Sequence, residues 1–473
     1  MSRAHQGKAT GTAVTARLRR LTDDPAFAAG TPLRALAERF AVAQQRVLPA
    51  SGSDNAFSSG AGVAGPVLCA FTLWVLAEAR SRGVRRLYFL SRDGEIFLQI
   101  ARRLVGEDTG GPELRYLYGG RKVWQLARLE AVDEAFLDYA FEADGGLTLA
   151  QVLRRCGLHG ELSTLAGLRE AGLPAEPAPV LGEAERRALR ESLRAGWLKA
   201  RVLAEAAGRR ELLRAYLWQE GFFDGTPALL VDVGWTGKSL RCLAQFLERE
   251  DAAMPGVLLF GKTHSTRGFS FPVEGWLFDP DAPHDCRHAP LPRDAYPVLI
   301  ENFCAGLEGP LSGFAREEGR IVPVQGEGGN AAALAWGLRE LRAGILAFCE
   351  AVEIPPEARE APPDTRPLAG ALLEDFYRNP TRAEAAALGT YPVEVDAAGG
   401  TTATWAPPAT WQDAFKVLAR GYRHRPFYHW EAASRLRTPA PVLRALGLAE
   451  RLRGWLARPK PAPGGIPAGE QKS

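Results

Sequence analysis

Residues 229–240 read LLVDVGWTGKSL, and this stretch decides the fold class. From Pro227 to Val233 the chain is almost continuously apolar, as expected of a strand covered on both faces of a sheet. The strand carries Asp232 near its end and runs into Gly234-Trp235-Thr236-Gly237-Lys238-Ser239, after which residues 240–247 take up helical spacing. A turn of this kind presents backbone N–H groups and hydroxyls to an anion, and the start of the following helix adds positive potential. An ordinary turn with a capping Ser or Thr fits the same letters. Lys238 favours the anion reading, because only 8 of the 58 basic residues are Lys and each one departs from an Arg-rich background.

Working outward, the same unit recurs. Residues 86–90, RLYFL, form a short apolar run that breaks at Ser91-Arg92-Asp93-Gly94 and continues with helical spacing over 95–104. Residues 114–118 are a further candidate strand, ended by Gly119-Gly120 and followed by Arg121-Lys122. Residues 256–261, GVLLFG, are another, ending at Lys262-Thr263-His264. Strands alternating with helices predict an α/β fold with a mostly parallel, Rossmann-like sheet, and such sheets bind ligands at the carboxyl ends of their strands. The expected organisation is a helical arm over 1–54 outside the core and a core over 55–325 with a helical insert at about 147–219. A helical region over 326–457 and a disordered tail over 458–473 complete it.

Composition narrows the function classes. With 58 basic and 55 acidic residues the net charge is +3, so nothing global points to nucleic acid, and any anion site must be local. The six cysteines include no CxxC pair and suit a reducing compartment. His284-x-Cys286-x-His288 lacks a suitably spaced fourth ligand for structural zinc and is taken as loop composition. The first residues lack the apolar segment of a signal peptide, and the longest apolar run, 63–77, is shorter than the ~20 residues of a membrane span. A cytoplasmic protein, with a possible peripheral position at the inner face of the membrane, is the expectation.

Two phosphate-binding families compete for 229–240. A Walker A loop needs GxxxxGK[ST]; Gly237, Lys238 and Ser239 fit, but Asp232 stands where the first Gly belongs. A P-loop nucleoside triphosphatase is therefore the alternative. The stretch more closely resembles the type I phosphoribosyltransferases, whose signature is an apolar strand ending in acid followed by a Thr-Gly-x-Thr/Ser phosphate grip, here Asp232 and Thr236-Gly237-Lys238-Ser239. The family commonly has two acids there and a loop one residue longer. Its early Arg/Gly-containing pyrophosphate loop is similar to Ser91-Arg92-Asp93-Gly94, and Arg121-Lys122 match the basic residues that follow its next strand. The combination over roughly residues 55–320 resembles the phosphoribosyltransferases of bacterial capsule and O-antigen loci, which install ribofuranose and are often fused to or paired with HAD-type phosphatases.

That resemblance implies transfer of ribose 5-phosphate from phosphoribosyl pyrophosphate to a hydroxyl of a glycan or lipid-linked glycan, with Mg²⁺ on the donor. It implies Asp232 at the ribose hydroxyls and the donor-bound metal. Ser91, Gly94, Gly234, Trp235 and the Thr236–Ser239 grip hold the phosphates, and Arg92, Arg121 and Lys122 neutralise the leaving group. Candidates for the base are Asp93, His264 and Glu301, with Lys262 a further cation at the same edge. The only DxD, Asp279-Pro-Asp281, lies in a Pro-rich loop, so the phosphatase is expected to be a separate protein. Trp405, Trp411, Tyr422, Tyr428 and Trp430 are candidates for an acceptor cleft, with core packing as the competing explanation. A nucleobase phosphoribosyltransferase and an inactive binding module of the same fold remain as alternatives.

Overall fold

The structure is a computed structural model. It describes residues 13–23, 27–48, 55–106, 110–142, 146–158, 162–177, 179–282, 295–326, 330–394, 402–420 and 429–456. The His284/Cys286/His288 loop, Tyr422, Tyr428 and the tail 458–473 lie outside these residues.

Five strands form one all-parallel sheet: β1 (Arg86–Leu90), β2 (Glu113–Leu117), β3 (Ala228–Trp235), β4 (Gly256–Lys262) and β5 (Val273–Phe278), in the order β2-β1-β3-β4-β5. Alternate side chains enter two separate cores, as the two-residue period of a strand requires. Leu87, Phe89, Leu229, Val231, Leu258 and Phe260 face one layer of helices, while Tyr88, Leu90, Leu230, Val257 and Leu259 face the other. Both faces are covered, which is why these strands read as unbroken apolar runs. The α/β parallel-sheet expectation therefore holds.

The chain leaves β1 toward β2 on one side and continues through β3 on the other. That reversal creates a switch point between β1 and β3, and a crevice opens outside the carboxyl ends of neighbouring strands at such a point.

Three features differ from the sequence expectation. Between Arg121 and Gln219 the described residues form helices and no strand, so the helical insert begins about where β2 ends and not near 147. Its own core already includes Leu126, Phe136 and Leu137 and extends to Ala206. The N-terminal segment is not an arm. Leu36, Ala37 and Phe40 of the helix Pro32–Val47 belong to the main core, and the buried Arg17 reaches Glu384 and Asp375 of the C-terminal region. Its polar composition hid one apolar stripe that finds a partner 300 residues away. Finally, an antiparallel hairpin, β6 (Leu311–Glu317) and β7 (Arg320–Gln325), follows the helix Ala295–Cys304.

The stretch Ala56–Ser81 is apolar and long enough to cross a membrane, yet 89% of its best window is buried inside the protein. It is the central core helix, as its residues Val67, Leu68, Phe71 and Val75 show.

Candidate functional site

The site is assembled at the β1/β3 switch point. After β1 the chain turns through Ser91, Arg92 and Asp93 into the helix Gly94–Val105. Ser91 is anchored across the edge of the sheet: its N–H donates to the Leu117 carbonyl (3.0 Å), its hydroxyl donates to the Gly119 carbonyl (2.9 Å) and accepts from the Gly119 N–H (3.0 Å). Gly94 lies so close to the end of β1 that a Cβ would sit 2.9 Å from the Phe89 carbonyl carbon, so the turn needs glycine there. Near the end of β3, Gly234 has φ +107°, and a Cβ would come within 2.3 Å of the Gly261 oxygen. Glycine is thus what lets the strand pass this close to β4 just beyond Asp232.

The cleft between these turns has a volume of about 330 Å³. Its chemistry comes from Ser91, Arg92, Asp93, Lys122, Asp232 and Glu301, with Gly119, Gly120, Arg121, Gly234 and Ser239 at its walls and Pro310 and Leu311 of the hairpin closing it. Glu301 arrives on the helix Ala295–Cys304, far along the chain.

Three carboxyl groups meet in this crevice, and each is shifted upward. Asp232 is pushed up to about 8 by burial and by the negative charges of Asp93 and Glu301, against a hydrogen bond from the Val233 N–H. Glu301 rises to about 7, through burial and the Asp93 charge, with Arg92 acting in the opposite direction. Its carboxyl opens to solvent in the cleft, so its shift is softer than that of Asp232. Asp93 reaches about 6, because burial is partly offset by Arg92 and Arg342. Such mutual repulsion means the group titrates as a unit.

The cations divide into two sets. Arg92 and Lys122 line the cleft and form no direct ion pair among the described residues. Lys122 is half-buried, and its pKa is lowered by burial and by the neighbouring charges of Arg154 and Arg209. Arg121 and Lys238 are engaged: the Arg121 guanidinium donates to Glu142 (2.9 Å) and the Lys238 ammonium donates to the same carboxylate (3.3 Å). One anionic group thus spans cations from the β2 and β3 turns.

Other sequence candidates lie elsewhere. Trp235 is buried against Phe278 at 5.9 Å and against Gly261. Of the 236–239 grip, Ser239 alone lines the cleft; Gly237 caps the helix Lys238–Arg249 and Thr236 is outside. Lys262 does not point at the site: its ammonium pairs with Asp279 (3.2 Å) and Asp281 (3.4 Å) and donates to the Val273 carbonyl. His264 sits in a short turn one strand farther along and does not line the cleft. Trp405 and Trp430 pack together at 4.5 Å in the core, and Trp411 is exposed on a helix away from the cleft lining.

Two contributors escape sequence reasoning. Arg342, buried on the helix Leu338–Ala351, pairs with Glu95 just behind the β1 turn, donates to the Ala305 carbonyl (3.0 Å) and offsets the Asp93 charge. Glu142 closes on the rim cations from the far end of the helix Glu134–Phe141. Neither belongs to a motif; in the sequence Arg342 is one of four charged residues on its helix, and only packing singles it out.

The donor set is oxygen-only near the acids, which suits a hard divalent cation such as Mg²⁺. Among the described residues no three His, Cys, Asp or Glu side chains are gathered tightly enough to hold an ion unaided. That arrangement is compatible with Mg²⁺ carried by one or two carboxylates plus substrate phosphates.

No protein-family model and no curated protein sequence matches the chain.

Proposed function

We propose that the cleft is the donor site of a phosphoribosyl pyrophosphate-dependent transferase that moves ribofuranose 5-phosphate onto a glycan hydroxyl. The observation that carries this reading is Arg92 and Lys122, without an ion pair among the described residues, beside Asp93, Asp232 and Glu301 in one cleft at the switch point. Half-buried cations with no ion-pair partner among the described residues call for an anionic ligand, and the adjoining carboxylates suit ribose hydroxyls and a phosphate-bound metal.

In this reading Arg92 and Lys122 receive the pyrophosphate, with Ser91 and the Gly119-Gly120 backbone beside it. Asp232 holds the ribose hydroxyls. Mg²⁺, held by Asp232 together with the donor's phosphates, would supply charge neutralisation for the leaving group. As the bond from the anomeric carbon to pyrophosphate breaks, the acceptor oxygen bonds to that carbon and its proton passes to Glu301. With its pKa near 7, Glu301 is better matched to this task than Asp93. Attack opposite the leaving group inverts an α donor to a β-ribofuranoside. Preorganised positive charge at the leaving pyrophosphate is the largest expected contribution to rate. The product phosphate is left for a separate phosphatase of the HAD type.

Competing readings find less support. A nucleoside triphosphatase rests on Gly237-Lys238-Ser239, of which Ser239 alone faces the cleft. The deciding experiment is incubation with phosphoribosyl pyrophosphate, Mg²⁺ and a panel of synthetic glycan acceptors, followed by mass spectrometry. Pentose-phosphate addition is the expected result. Transfer to free nucleobases in place of glycans would reassign the acceptor, and absence of both transfer and calorimetric donor binding would overturn the proposal.

A further inference from the structure

The helices Trp411–Arg420 and Ala440–Leu456 lie side by side and build a small core of their own from Ala409, Ala414, Val417, Val442, Leu446 and Ala449. Having satisfied one face in this way, each helix leaves apolar side chains on another. Trp411, Phe415 and Leu418 are 62%, 71% and 38% exposed, at spacings of four and three residues, so they form one stripe on their helix. On its neighbour, Leu448 and Leu452 are 54% and 42% exposed at a spacing of four. With Leu436, six of the ten large exposed apolar side chains among the described residues fall in this one region. Scattered exposed apolar residues need no explanation, but such a concentration does.

The charge of the helix pair is as uneven as its polarity. Residues 411–420 and 440–456 contain five Lys or Arg and two Asp or Glu, a net of +3, which equals the net charge of the whole chain, so the remainder is neutral overall. Arg444 and Arg451 are exposed on the same helix as Leu448 and Leu452. A second copy of this surface would bring like charges together and is disfavoured. A polyanion without an apolar phase, such as a nucleic acid, would leave Leu418, Leu448 and Leu452 in water. An anionic lipid surface takes both halves of the pattern: the aromatic and aliphatic stripe enters the boundary between headgroups and acyl chains while the basic residues meet the anionic headgroups.

We infer that the helix pair formed by residues 411–420 and 440–456 is a docking surface for an anionic membrane, with Trp411, Phe415, Leu418, Leu448 and Leu452 as the inserted residues. This inference does not depend on the transferase reading. It concerns peripheral binding and is separate from the apolar stretch Ala56–Ser81, which is buried.

The test is flotation of the full chain with vesicles of phosphatidylcholine and phosphatidylglycerol in equal parts, and with vesicles of phosphatidylcholine alone. Flotation with the anionic vesicles and about tenfold less with the neutral ones is expected. Trp411→Ser with Phe415→Ser should lower the bound fraction about tenfold at any salt concentration, while Arg444→Glu with Arg451→Glu should lower it mainly at low salt. All four positions are exposed, and an unchanged circular dichroism melt shows that the fold is kept. Absence of flotation, or equal flotation of the wild type and the Trp411/Phe415 variant, would overturn the inference. So would a dimer seen by light scattering without vesicles that Trp411→Ser with Phe415→Ser dissolves, which would assign the surface to self-association.

Discussion

Gly234–Ser239 at the end of β3 and Lys262-Thr263-His264 at the end of β4 lie at the same edge of the sheet, and each offers a Thr, a Lys and another polar group. The β3 turn borders the cleft through Gly234 and Ser239, with Asp232 at its root. The β4 turn, one strand farther from the β1/β3 reversal, is tied down: Lys262 is held by Asp279 and Asp281, and Thr263 caps its own short turn by accepting from the Ser265 N–H. The chemistry of the letters is similar. What separates the two loops is their distance from the point where the strand order reverses, because the crevice opens only there.

That contrast is open to direct attack. On the β3 side, Asp232→Asn should reduce pentose-phosphate transfer about 10³-fold with the protein still folded, as single-turnover assays would measure. On the β4 side, Lys262→Met should leave donor affinity within about twofold. It should instead lower unfolding free energy by about 3 kcal/mol in urea titrations, because it strands the buried Asp279. If Lys262→Met abolished donor binding and kept full stability, the distinction between the two loops would collapse.

The carboxyl trio sharpens the same comparison through pH. Asp232, Glu301 and Asp93 have folded-state pKa values raised to about 8, 7 and 6, above those of an unfolded chain. The folded protein therefore binds more protons than the unfolded one between about pH 4 and pH 8, and stability falls as pH rises through that window. A loss of at least about 2 kcal/mol between about pH 5 and about pH 8 is expected, mostly from Asp232. Asp232→Asn should flatten the profile and melt higher than wild type at the alkaline end; a profile unchanged by this substitution would show that the three acids do not interact as one cluster. The smallest effect belongs to Glu142, which stands where an anion bridges Arg121 and Lys238. Glu142→Gln frees both cations and should tighten donor binding by about threefold to tenfold in calorimetry.

Much of the site was legible because its parts are local. An apolar run ending in Asp232, and another ending in Ser91-Arg92-Asp93-Gly94, announce strand-turn-helix units within a few residues, and their glycines mark the turns. Ser239, Arg121 and Lys122 follow from the same units. What failed to show was anything requiring a distant partner. Arg342 gains meaning only when its helix packs behind the β1 turn, and Glu142 only when the insert folds back over the rim. The lysines illustrate the converse: three of them at one edge suggested a single cationic site, yet Lys238 and Lys262 meet carboxylates first.

The N-terminal helices carry the same lesson for the fold. Their polar composition suggested an arm, and the buried Arg17–Glu384 pair joins them to the C-terminal region. By itself the sequence determined that strands buried on both faces alternate with helices, and which residue types stand at each strand end, because backbone periodicity and turn chemistry act over a few residues. The tertiary structure alone decided the strand order, and with it which two turns face each other, which cations keep an unpaired charge, and how far each acid is held from its ordinary pKa. Those properties depend on desolvation and on charges brought together across hundreds of residues, and no local pattern encodes them.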